Sequence, residues 1–94
     1  MDRDEVLSRV IDVTADVLGC EPGDVTEASE FVADLGAESI QSVELVAAFE
    51  VEFDIEMDED AALHVQTVGD AVDFIMQYLT EKDEGGGEPK DSDQ

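Results

Sequence analysis

No Gly or Pro interrupts residues 39–53, and their apolar positions recur at helical rather than strand spacing. At 100° per residue, Leu45, Val46, Phe49 and Phe53 fall on one stripe with Ser42, the expected core face. Ile40, Val43, Ala47 and Val51 form a second stripe on another side, with Glu44, Glu50 and Glu52 along the edges. One core needs one stripe. The second is either covered by a loop or another helix, or it is a partner surface rimmed with carboxylates.

The stretch before this helix is Asp34-Leu35-Gly36-Ala37-Glu38-Ser39-Ile40. Gly36 permits a backbone geometry that other residues resist, and Ser39 is a residue type favoured at helix starts. A serine there stands beside free backbone N–H groups and the positive end of the helix dipole, which suits a phosphate.

The rest of the chain reads as helices and turns. Asp2 with Glu5 makes a capping pair for a helix reaching about Leu18, with Val6, Leu7, Val10, Ile11, Val17 and Leu18 on its buried face and Gly19 as its stop. Residues 20–24 are turn chemistry. Residues 25–37 form a long loop, packed through Val25, Phe31, Val32 and Leu35, with Ser29 capping a short turn that carries Phe31 and Val32. A short helix is expected near residues 60–64. Thr67 with Asp70 opens a last helix to about Leu79, turning Val68, Ala71, Val72, Ile75, Tyr78 and Leu79 inward. No strand alternation is sustained. The predicted fold is all-α: a small bundle of three main helices and one short one over residues 1–80, then a disordered acidic tail over 81–94.

Charge narrows the partners. The 94 residues carry 27 acidic side chains against Arg3, Arg9, Lys82 and Lys90, for a net charge of −23. Nucleic acid and anionic membranes repel such a chain, and proteins with basic patches attract it. The N-terminus has neither the charge nor the apolar run of a signal peptide, and no segment is long enough to span a bilayer. The expectation is a monomer in the cytoplasm.

Nothing in the composition asks for an enzyme or a metal. An EF-hand loop opening at Asp54 would need Gly and Glu where Glu59 and Val65 stand. His64 has no second histidine or cysteine nearby to share a metal. Cys20 is the only cysteine, with no cation beside it in sequence to activate it. Met57 and Met76 read as gap-filling core residues. The apolar residues suffice for a small core and leave little to enclose a pocket.

The stretch around Ser39 resembles the attachment site of acyl carrier proteins, whose hallmark is Asp-Ser-Leu after Asp-Leu-Gly. The likeness runs on through Val43-Glu44-Leu45-Val46, Phe49-Glu50, Glu52-Phe53, Ile55 and the Thr67-to-Ile75 region, covering about residues 3–80 without an obvious gap. It implies a 4′-phosphopantetheine arm on Ser39, added from coenzyme A by a phosphopantetheinyl transferase, whose thiol carries acyl chains as thioesters. It implies a carrier for fatty-acid or related enzymes, with no catalysis of its own. By position, Glu38, Ile40, Val43, Glu44, Ala47 and Glu50 would meet basic docking patches on acyl-transfer and acyl-modifying enzymes. Phe31, Val46 and Ile75 would line a shelter for the acyl chain.

The pattern also departs from the common one. Glu38 stands for the usual Asp, Ile40 for Leu, and Gln41 and Val51 occupy usually acidic positions. A specialised carrier for polyketide, aminoacyl or other cargo is the alternative within the class. An unmodified acidic interaction module is the alternative outside it, and such a module has no need of Ser39.

Overall fold

A computed structural model of the chain describes residues 2–86, with side chains through residue 80. Helix α1 spans Arg3–Leu18, α2 Ser39–Phe53, α3 Glu59–Ala62 and α4 Val68–Gly86, with a 3-10 turn at Pro22–Asp24. Among the described residues there is no extended strand, only an antiparallel bridge between Glu30 and Thr67. The all-helical bundle is as the sequence predicts.

Short-range chemistry sets the helix ends. The Asp2 carboxylate accepts the Glu5 N–H at 2.9 Å and opens α1. Gly19 closes it in the left-handed region at φ 72°, where its N–H reaches the Ala15 carbonyl. Thr67 Oγ1 accepts the Asp70 N–H at 3.0 Å at the head of α4. The α3 helix starts one residue earlier than expected, because Asp58 caps it by accepting from Asp60 N at 3.0 Å. Helix α4 continues to Gly86, past the predicted end at Leu79. Residues 80–84 hold no breaker, and Glu and Lys are good helix formers. The remainder of the expected tail, 87–94, lies outside the described residues.

The core is built from α1, α2 and α4. Val6 and Val10 of α1 and Val68, Val72 and Ile75 of α4 are fully buried, and Leu45, Val46, Phe49 and Phe53 of α2 join them. These are the faces read from periodicity. Met57 is buried in the same core, and Met76 packs on it.

The α1–α2 loop is stitched to the head of α4 by backbone hydrogen bonds. Phe31 N donates to the Gln66 carbonyl, Val68 N to that of Ser29 and Gly69 N to that of Glu27, at 2.8 to 2.9 Å. Two of the loop expectations change. Val32 is exposed, because the Glu30 carbonyl accepts from both Asp34 N and Leu35 N, winding a turn that directs Phe31 inward and its neighbour outward. Ser29 closes the turn behind it, accepting Thr26 N at 3.0 Å, while the turn ahead is closed by the Asp34 carboxylate on Glu30 N at 2.8 Å.

Two arginines bridge elements that would otherwise repel. Arg3 binds Glu27 of the loop and Asp73 of α4, and Arg9 binds Glu5 of α1 and Glu52 of α2. Hydrogen bonds to Glu27 and then Asp73 push the Arg3 guanidinium pKa still further above its usual value.

Candidate functional site

Ser39 is the first residue of α2, and the cap is Glu38, in extended conformation at φ −90°, ψ 166°. The Glu38 N–H donates to Gln41 Oε1 at 2.9 Å, and the Glu38 carbonyl accepts from Ser42 N at 3.0 Å. These bonds hold the first turn of the helix without the Ser39 hydroxyl. The side chain is exposed, and among the described residues no hydrogen bond engages it. The serine is free because its neighbours do the capping.

The heads of α2 and α4 differ in how their N–H groups are used. At α4, Val68 N and Gly69 N go to loop carbonyls, Asp70 N goes to Thr67 Oγ1, and Ala71 N goes to the Thr67 carbonyl. No loop backbone covers the head of α2, where an α-helix has its first N–H groups without intrahelical partners. Gly36, at φ 72°, turns the chain into this end, and the buried Ala37 anchors it through a 2.8 Å bond to the Phe31 carbonyl. Ser39 thus presents an exposed hydroxyl at a helix head whose dipole favours an anion, while the Glu38 carboxylate beside it closes the capping box on the Gln41 N–H.

The second stripe of α2 is a surface. Ile40 is 67% exposed, Val43 51% and Val51 84%, and Ala47 is exposed beside them. Helix α1 packs on the opposite side of α2, where Leu45, Val46, Phe49 and Phe53 are buried, so the reading in which another element covers this stripe does not hold. Glu38 and Glu44 are exposed along with it. Glu50, placed by sequence on the same face, is half-buried, and its carboxylate accepts the Met57 N–H at 2.8 Å. Glu52 is taken up by Arg9 at 3.1 Å.

Behind α2 lies a cavity of about 340 Å³ between the loop, α2, α3 and α4. Phe31, Val46 and Ile75 all line it, as the resemblance implied, together with Phe49, Met57 and Phe74. That a chain this small encloses such a space corrects the expectation of little room for a pocket. The short α3 spans a wall of it that a long helix would have filled. Ser42, one turn after Ser39, is also part of the lining.

The remaining candidates stay apart from this site. His64 is exposed, and Cys20 is half-buried against the core. Among the described residues, no group of three or more His, Cys, Asp or Glu is arranged to hold a metal ion. No described helix is long and apolar enough to cross a membrane. Two roles escaped sequence reading: Gln41 closing the Glu38 N–H, and Glu50 holding Met57. The first was visible as a Glu-x-x-Gln capping spacing; the second ties α2 to the linker that follows it and has no local signature.

The profile of the family described as "Phosphopantetheine attachment site" matches residues 8–75. An "Acyl carrier protein" of Phenylobacterium zucineum (strain HLK1) is 55% identical over 75 residues, covering 80% of this chain and 95% of that one. One of Caulobacter vibrioides (strain NA1000 / CB15N) is 53% identical over 73 residues, covering 78% and 94%. The matched region takes in α2 with its exposed serine, the residues that line the cavity and the first turns of α4, so sequence and architecture agree. The chain belongs to the acyl carrier proteins, a family of carriers rather than enzymes whose prosthetic group is 4′-phosphopantetheine.

Proposed function

We propose that Ser39 is the residue that bears the arm, and that the protein carries acyl chains on it for fatty-acid or related synthetic enzymes. One observation carries the assignment: Ser39 lies within the family match, at an exposed helix head, with a hydroxyl that no neighbour uses. In the modification, Ser39 Oγ attacks the phosphorus of coenzyme A that bears the pantetheine. The bond to the departing adenosine 3′,5′-bisphosphate breaks, and the serine proton is lost to the transferase. The attached group supplies a terminal thiol on which acyl chains are held as thioesters. The head of α2 then stabilises the phosphodiester charge through its N–H groups and dipole.

The chain's own surfaces support the carrier role. The stripe of Ile40, Val43 and Ala47, flanked by Glu38 and Glu44, fits enzymes that present an apolar patch ringed by Lys and Arg. With a net charge of −23, encounter with such enzymes is steered and falls off as salt rises. The cavity behind α2, lined mainly by apolar side chains such as Phe31, Val46, Phe49, Phe74 and Ile75, suits a hydrocarbon chain. Val51, fully presented at a position acidic in common fatty-acid carriers, favours a second reading in which the partner enzymes are specialised ones.

Intact mass spectrometry after incubation with coenzyme A and a promiscuous phosphopantetheinyl transferase tests the assignment. The wild-type chain gains one phosphopantetheine and Ser39→Ala gains none. An unmodified wild type, beside a control carrier modified in parallel, would refute it.

A further inference from the structure

The cavity behind α2 has an interior and a rim of different chemistry. Leu45, Val46, Phe49, Ala71 and Ile75 are buried and make the interior apolar. The rim carries two uncharged polar side chains: exposed Gln66, in the link between α3 and α4, and half-buried Ser42 on α2. The backbone sets the direction of Gln66. Its carbonyl accepts from Phe31 N at 2.9 Å, beside the antiparallel bridge that pairs Glu30 with Thr67. Residues 31 and 66 are therefore directly opposite each other, and opposed residues of an antiparallel pair put their side chains on one face. Phe31 faces the cavity, so Gln66 is carried to the mouth with it. Among the described residues no hydrogen bond engages the Gln66 amide. The Ser42 hydroxyl has only the Glu38 carbonyl, at 3.4 Å, well beyond the usual hydroxyl–oxygen distance. Both groups are open to a ligand.

A cargo chain meets this rim with one part of itself. It is tied through its thioester to an arm that starts outside, on Ser39, so the thioester carbon is the last to enter and the carbons next to it lie in the mouth. A saturated chain brings one carbonyl acceptor there and no donor, which leaves Gln66 Oε1 without a partner on the cargo. A hydroxyl on the β-carbon, two bonds from the thioester carbon, adds both a donor and an acceptor at the same rim. An oxo group at that carbon adds an acceptor only. A hydroxyl far along the chain would be buried among Phe49, Ala71 and Ile75, where no side chain can pair with it.

We propose that Ser42 and Gln66 form a polar collar at the cavity mouth, which makes β-hydroxyacyl chains the cargo this protein shelters best, ahead of saturated chains of the same length. The inference rests on the carrier reading and deepens it by naming the class of cargo. The interior takes the hydrocarbon part, and the collar reads the oxygen nearest the thioester.

The test compares cargo on the loaded chain. Wild type, Ser42→Ala and Gln66→Leu are loaded from decanoyl, β-hydroxydecanoyl and ω-hydroxydecanoyl coenzyme A by a promiscuous phosphopantetheinyl transferase, and intact mass confirms each product. Thioester cleavage by hydroxylamine is then timed, with each rate divided by that of the same acyl group on free pantetheine to remove its intrinsic reactivity. On the wild type, β-hydroxydecanoyl should be cleaved about three- to ten-fold more slowly than decanoyl, the factor expected for one net hydrogen bond. The ω-hydroxydecanoyl thioester should be the least protected of the three. In both variants the β-hydroxy advantage should largely vanish while decanoyl stays protected, which shows that the cavity is intact. The Gln66 side-chain amide signals in NMR spectra of the wild type should also shift between its decanoyl and β-hydroxydecanoyl forms. Equal protection of these two thioesters on the wild type, unmoved Gln66 signals, or an advantage that survives both substitutions would each overturn the proposal alone. A wild-type chain that takes up no loaded arm would overturn the carrier reading, and the proposal with it.

Discussion

Gly69 N donates to the Glu27 carbonyl at 2.8 Å, and a Cβ at residue 69 would stand 2.8 Å from Glu27 Cγ and 3.2 Å from that same carbonyl oxygen. The loop can therefore lie against the head of α4 only where a side chain is missing. Glu27 has little freedom to withdraw, since Arg3 holds its carboxylate.

Gly69→Ala is thus expected to destabilise the fold, although alanine is the better helix residue. The overpacking cost of about 1–3 kcal/mol outweighs a propensity gain of about 1 kcal/mol at most. Thermal unfolding should show a Tm lower by several degrees, at about 4–8 °C per kcal/mol for a domain of this size. A raised Tm would mean that the loop backs away without cost.

Thr14 points the other way. It is fully buried in α1, and its hydroxyl has no hydrogen-bond partner. A buried hydroxyl left without a partner costs about 1–3 kcal/mol, and valine fills the same shape without that demand. Thr14→Val should raise Tm by several degrees and leave phosphopantetheinylation unchanged. A lower Tm in the calorimeter would show that the hydroxyl has a partner in solution.

The exposed stripe on α2 separates stability from association. Val43→Ser removes an apolar group that the fold does not bury, so unfolding should shift by no more than about 0.5 kcal/mol. A core valine replaced in this way would cost several times as much. Transferase kinetics should show KM raised by about three- to ten-fold with kcat little changed, as for loss of one interface contact of about 1 kcal/mol. The wild-type KM should itself rise with ionic strength, because charged groups steer the encounter. A large fall in Tm would return the stripe to the core.

The helices were legible because each carries its own signals. Asp2 and Glu5, Gly19, and Thr67 with Asp70 marked ends that the structure keeps, and the 3.6-residue period identified the buried faces of α1, α2 and α4. The outward direction of Val32 is not legible in the same way, because a loop has no period from which to read it. Nor does charge mark the end of α4, since Glu and Lys continue a helix well.

By itself the sequence determined three long helices, their core faces, and a serine at the head of α2, since periodicity and capping act within a few residues. It left open whether the second apolar stripe on α2 is covered by another element or faces a partner. Only the packing of the other elements left Ile40, Val43 and Val51 of that second stripe facing outward and opened a cavity behind α2. The bond from Glu50 to Met57 belongs to the same class, because it depends on how the linker after α2 folds back on the last turn of the helix and has no capping spacing to mark it.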